Sequence, residues 1–385
     1  MKSLVTSLST QQLILRFFDL EAHIQSDSRT CLDLFASMYR RFQAIPERSP
    51  VQPPIEFEVQ TRPDAAWGAP RMVLNGCEWS LHDQRLIEDG YVYEILMNAV
   101  LAGVRSHFLI HAGVVSYDDQ GILLAADSRH GKTTLTAELV RRGCAFLSDD
   151  VAALGRADRR VHPFPRSLRL RPGTLDLLGC SELAVGAPFW IGKAILDTEE
   201  LRPYSLGEAV AISHIIILHD PAVTWEDMVG SSERELGVLV DRVDTGFLTA
   251  VRRIDGVTEM HTDIDRGYPL LRLRTARRAA VLAQVEALCQ AQQIWVLDII
   301  KRRESHPKFN RPARLETIPT SKAIVELLRR FQGGYSSALL HEELEGSSVH
   351  LFRELAALIG QAKCYRLSVG PLHEMADLVC GMVNA

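Results

Sequence analysis

Apolar residues recur along the chain in two rhythms, and each rhythm predicts its own kind of element. In the first hundred or so residues, short runs at Ile55 to Val59, Arg71 to Leu74 and Cys77 to Leu81 predict strands beside the proline-rich stretch RSPVQPPIE. The longer stretch RLIEDGYVYEILMNAVLAGV, Arg85 to Val104, has helical spacing. SHFLIHAGVVSY then predicts a buried strand carrying His111, DDQG at Asp118 to Gly121 a turn, and GILLAA a second strand. This strand runs through a glycine-lysine loop into the helix TTLTAELVRRG, closed by Gly143, and AFLSDDVAAL follows as the next strand. Strand, loop, helix, strand is the βαβ arrangement expected of a nucleotide-binding core.

Beyond PFPRSLRLRPG the pattern loosens until SHIIILHDP supplies another apolar strand at Ile215 to Leu218. Residues 221–300 then read as GFLTAVRRI, YPLLRLR, the alanine-rich helix RRAAVLAQVEALCQAQQ and the strand IWVLDII, a β-β-α-β order of their own. The charged loop KRRESHPKFNRPAR precedes helices AIVELLRRF and SVHLFRELAALIGQ, a strand CYRLSV and a closing helix PLHEMADLVCGMV. The expected division is an α/β module over 1–104, a core over 105–220, an inserted α+β subdomain over 221–300, and completion of the core by 301–385.

Composition narrows the class. A chain of 385 residues with 46% hydrophobic and 24% charged residues suits two to three globular domains. A net charge of -5 is the wrong sign for a general nucleic-acid binder. The seven cysteines are scattered and form no C-x-x-C pair, so neither a zinc site nor a disulfide framework is expected. Polar residues interrupt the first apolar stretch before a signal-type core forms, and no apolar run reaches about eighteen residues. The expectation is a cytoplasmic protein that engages neither membrane nor nucleic acid.

The chemistry concentrates in Ala126-Asp127-Ser128-Arg129-His130-Gly131-Lys132-Thr133-Thr134, which has P-loop spacing with alanine in place of the first glycine. Such a loop turns backbone N–H groups towards phosphate oxygens, its lysine reaches the β- and γ-phosphates, and its hydroxyl binds magnesium. Asp149 and Asp150 close the next strand, where a carboxylate would stand beside the metal. Neighbours on a strand face opposite ways, so one would serve magnesium and the other the acceptor hydroxyl. The assignment between the two stays open. His111 sits in an apolar strand just before an Ala-Gly pair that permits close approach of another group.

Taken together, His111-Ala-Gly-Val-Val, Asp127-Ser128-x-x-Gly131-Lys132-Thr133, the helix ending Arg141-Arg142-Gly143, and Leu147-Ser148-Asp149-Asp150 resemble HPr kinase/phosphorylase. PFPRSLRL, WIGKAILD and the last thirty or so residues look like related kinases that phosphorylate ribosomally made precursor peptides, such as lasso-peptide precursors. The resemblance implies an α/β phosphoenolpyruvate-carboxykinase-like P-loop fold that uses ATP and Mg2+. It implies transfer to a serine or threonine hydroxyl of a peptide or small protein, and a homo-oligomer. Asp149 would map to the catalytic aspartate, Asp150 and Thr133 to the metal, His111 to the transferred phosphate, and Arg166 and Lys193 to phosphate or acceptor contacts. A small-molecule kinase on the same scaffold and a non-catalytic nucleotide-binding regulator are the competing readings. Three departures bear on them: Ala126, for which glycine is expected to be tolerated or to improve affinity; the bulky Arg129-His130 pair, which would either add charge or block the site; and the insertion.

Overall fold

A computed structural model describes residues 11–43, 52–62, 70–81, 85–88, 90–127, 129–190, 192–222, 235–265, 267–300, 307–328, 330 and 353–383. Ser128 of the glycine-lysine loop and the first five residues of the expected helix at 348–361 lie outside the described residues.

The continuous apolar run in Ile212–His219 is explained by its place in the middle of a six-stranded sheet. Across that sheet the order is Leu315–Thr317, Lys363–Ser368, Ile212–His219, Gln120–Ala125, Ala112–Tyr117 and Ala145–Ser148. Ile212–His219 pairs in parallel with both of its neighbours, and the remaining pairings are antiparallel. Ile216 and Leu218 face one buried cluster with the helices Lys132–Arg141 and Leu372–Val383, while Ile215 and Ile217 face another with Thr320–Leu328 and residues 353–359. A strand covered on both faces has no reason to alternate. The expected turn is a two-residue hairpin loop, with Asp118 and Asp119 at φ of 45° and 60° and Tyr117 paired with Gln120.

Two sequence readings of single strands are corrected here. SHFLIHAGVVSY forms His107–Ile110 and Ala112–Tyr117, and AFLSDDVAAL forms Ala145–Ser148 and Ala152–Gly155. In each case the first and second halves belong to different sheets. His107–Ile110 and Ala152–Gly155 join Val161–His162 in a separate three-stranded sheet. Ile110 pairs with Ala152 and Val114 with Ser148, so the two crossings, at His111 and at Asp149–Val151, lie opposite each other.

An N-terminal five-stranded sheet runs Gln11–Phe17, Leu20–Ser26, Ile55–Gln60, Arg71–Leu74, Cys77–Ser80. The stretch read as one helix is divided at Gly90 (φ 72°) into Arg85–Glu88 and Tyr91–Gly103. Phe17, Tyr39, Phe42 and Phe164 form a ring cluster with centroids 4.8–5.9 Å apart. The cluster fixes this sheet against the segment between Val161–His162 and Leu168–Leu170, which carries Arg166. Ser167 adds a backbone bond to Met38 O (2.9 Å) and a hydroxyl bond to Ser37 O (2.7 Å), tying it to the end of the Arg29–Met38 helix.

The 235–300 region is not β-β-α-β. GFLTAVRRI was read as a strand; it is the helix Thr245–Arg252, capped by Asp244 accepting from Phe247 N at 2.8 Å. With it the order becomes βαββαβ, with sheet order Glu259–Asp265, Tyr268–Arg274, Glu235–Val240, Val296–Ile300, all antiparallel. This is the split βαβ arrangement. Among the described residues no helix is long and apolar enough to cross a membrane.

Candidate functional site

Both chain crossings deliver their polar residues to one place. Ser148 shapes the second: its Oγ accepts from the backbone N–H of Asp150 (3.2 Å) and Val151 (3.0 Å), turning the chain out of the strand. The premise that Asp149 and Asp150 alternate on a strand therefore fails. They sit in a bend, yet their side chains still diverge.

The Asp149 carboxylate turns to the loop. Its Oδ2 lies 3.3 Å from Thr133 Oγ1, and its Oδ1 is buried without a hydrogen-bond partner. The Lys132 ammonium donates to the Asp149 backbone carbonyl. Asp150 lies near His111 Nδ1 at 3.1 Å, Lys132 Nζ at 3.5 Å and Arg166 Nη2 at 2.5 Å. Burial alone would raise its pKa, but Arg166 first, then His111 and Lys132, outweigh it and hold the carboxyl well below its usual range. Arg166 is itself buried; desolvation works against its charge, and Asp150 more than compensates, lifting its pKa well above the usual value.

These groups line a cleft of about 940 Å³. Lys193, Arg169 and Arg171 add cations to its lining. Burial, with Arg169 and Arg171 adding repulsion, pushes Lys193 down to about 8. Arg169 carries an ion pair to Glu94 at 3.3 Å. A deep cleft with one acidic edge and several cations suits a polyanionic ligand.

In the loop, Arg129 (φ 66°) and Gly131 (φ 82°) take the left-handed backbone. Arg129 lines the cleft, whereas His130 is buried outside it, so the pair does not plug the cleft. Ala126 does not adopt a positive φ, and its methyl is packed into the core cluster that holds Leu135 and Ile216. This reverses the expectation for glycine at 126. Ala126→Gly is expected to cost about 1 kcal/mol of stability, from lost packing and a freer unfolded chain, without tightening nucleotide binding. A urea midpoint lowered by that amount confirms it, and an unchanged midpoint refutes it. Asp127 and Thr134 also line the cleft.

The Ala-Gly pair after His111 serves helix packing. A β-carbon on Gly113 would stand 2.7 Å from Thr136 Oγ1, so glycine lets the Lys132–Arg141 helix lie against the Ala112–Tyr117 strand.

Two residues of the site were not read from the sequence. Arg330, buried, donates from Nη2 to Asp127 Oδ1 (2.7 Å) and from Nη1 to Glu326 Oε2 (2.6 Å), and its carbonyl accepts the His111 N–H (2.6 Å). One arginine thus joins the loop to the first crossing. Arg169 had a visible signal, because RSLRLR alternates and Leu168 and Leu170 are buried on the opposite face.

No protein-family model matches the chain, and no curated protein matches it. Among solved structures, the Hpr(Ser) kinase/phosphatase from Coxiella burnetii is 17% identical over 48% of this chain and 95% of that chain, with a TM-score of 0.22. At that TM-score the likeness carries no argument, and function has to be argued from the site.

Proposed function

We propose that this chain binds a magnesium nucleoside triphosphate at the 126–134 loop and transfers a phosphoryl group to a hydroxyl. The acceptor in this reading is a serine or threonine of a peptide or small protein, a ribosomally made precursor peptide being one candidate. On this reading 105–220 and 301–385 together make the kinase core. The observation that carries the proposal is the pair of carboxylates at the head of the loop, one against Thr133 and the other among His111, Lys132 and Arg166.

The favoured roles exchange those implied by the resemblance. The Asp149 carboxylate, with Oδ2 beside the Thr133 hydroxyl and Oδ1 making no hydrogen bond, would suit a hard cation held mainly by waters and phosphate oxygens. That cation, when bound, neutralises charge developing on the transferring group. Asp150, kept ionised by its neighbours, accepts from the acceptor hydroxyl and aims its oxygen. Lys132 leaves the Asp149 carbonyl for the phosphates, and Arg166 keeps Asp150 in place. His111, beside Asp150, is set to donate to a phosphoryl oxygen. Catalysis by such a site is chiefly positioning and charge stabilisation.

The test is calorimetry with a non-hydrolysable ATP analogue and magnesium on the wild type and Lys132→Ala. The wild type should bind and be thermally stabilised, and the variant should bind at least tenfold more weakly, since a cation facing the phosphates is lost. No heat and no stabilisation of the wild type at millimolar nucleotide would reject the reading.

A further inference from the structure

We propose that the cleft has a built seat for a purine base, with the base stacked on the ring of Phe309. This rests on the nucleotide reading above and says which part of the cleft takes which part of the ligand.

The cleft is lined by two chemically different sets of side chains. Arg129, Lys132, Arg169, Arg171 and Lys193 supply cations for phosphates. The lining also includes Phe309, and Pro371, Leu372 and His373 where the chain enters the closing helix. Phe309 is 43% exposed, so its ring is open to a ligand. Its ring edge would be 3.2 Å from a β-carbon placed on Gly131, so the ring overhangs the glycine-lysine loop itself. A nucleotide whose phosphates lie on that loop therefore has an aromatic face within reach of its base.

This part of the lining is fixed. The Ala313 N–H donates to Glu374 Oε2 (2.9 Å), the Arg314 N–H to Ser368 Oγ (2.8 Å), and the Ser368 N–H to Arg314 O (2.9 Å). A β-carbon on Gly370 would stand 2.5 Å from Arg311 O and 2.8 Å from Ala313 N, so the two segments touch backbone to backbone. Phe309 projects from one of these locked segments and His373 from the other. A base stacks on an aromatic face without needing a matching hydrogen-bond pattern, and a purine offers the larger face. Adenine and guanine nucleotides should accordingly bind within a few-fold of each other.

The experiment measures magnesium-ATP and inorganic tripolyphosphate binding by calorimetry for wild type, Phe309→Ala and Phe309→Trp, with thermal unfolding to confirm that each is folded. Phe309→Ala should weaken ATP about tenfold and leave tripolyphosphate unchanged, and Phe309→Trp should keep wild-type affinity for both. Equal weakening of both ligands by Phe309→Ala, or of neither, overturns the base seat while leaving the phosphate loop intact. Tripolyphosphate binding with no added affinity for ATP in the wild type overturns it too. Failure of both ligands to bind the wild type rejects the loop reading itself, and the base seat with it.

Discussion

Asp150→Asn is expected to slow phosphoryl transfer by about 10²- to 10⁴-fold while changing nucleotide affinity by less than about threefold. The amide keeps the size of the side chain but cannot accept from the acceptor hydroxyl through a charged oxygen, and it loses the attraction of Arg166 and Lys132. Asp149→Asn should behave differently. Its carboxylate faces Thr133, so the variant should need more magnesium for the same nucleotide affinity. Single-turnover transfer and nucleotide affinity, measured for both variants across a magnesium series, separate the roles. Exchanged phenotypes would restore Asp149 as the acceptor-side residue, wild-type transfer in both variants would show that neither carboxylate is catalytic, and nucleotide binding without transfer in the wild type would leave a nucleotide-binding regulator.

The second large effect is on stability. Arg166→Met should destabilise the fold by about 3–5 kcal/mol at neutral pH, because it leaves two carboxylates crowded in a bend without their common partner. Arg166 Nη2 is 2.5 Å from Asp150 Oδ2 and 3.8 Å from Asp149 Oδ1. The pH dependence gives the cause away. Asp150 has a folded-state pKa below its unfolded value, so its contribution is present above about pH 4 and is lost as pH falls through the folded pKa. In the variant the largest contribution to that depression is removed, while those of His111 and Lys132 stay. The gap between wild type and variant should therefore narrow as pH is lowered below about 4, where the carboxylate that has lost Arg166 protonates and its burial ceases to cost. Chemical denaturation from pH 3 to 8 or so measures both curves. A gap independent of pH would mean that Arg166 acts through packing alone.

The sequence showed the chemistry more clearly than the chain path around it. The Gln120–Ala125 strand, the loop and the Lys132–Arg141 helix were legible because apolar period, glycine and helix stop agree. The crossings at His111 and Asp149–Val151 were not, since both sheets bury their strands and the apolar run passes through the break unchanged. Thr245–Arg252 carried a usable signal: Asp244 caps it, and Phe247, Val251 and Ile254 recur at helical spacing. Its apolar density was mistaken for a strand. Glu259–Asp265, an edge strand mostly exposed, has no inward face to show in its sequence. The Gln11–Phe17 and Leu20–Ser26 hairpin turns through Phe18 at φ 57°, where glycine or asparagine would have announced the bend. Arg330 belongs to a different difficulty, because its partner is fixed by tertiary packing and leaves no local mark.

That last contact bears on how the protein is made. Asp127 and Arg330 are 203 positions apart, and the Lys363–Ser368 strand that flanks Ile212–His219 lies later still. A ribosome would release the complete glycine-lysine loop long before it releases the arginine that braces it, and contacts so distant in sequence form late. The growing chain thus carries its glycine-lysine loop unbraced while the 203 positions between Asp127 and Arg330 are made, and the braced loop is reserved for molecules in which Arg330 has emerged.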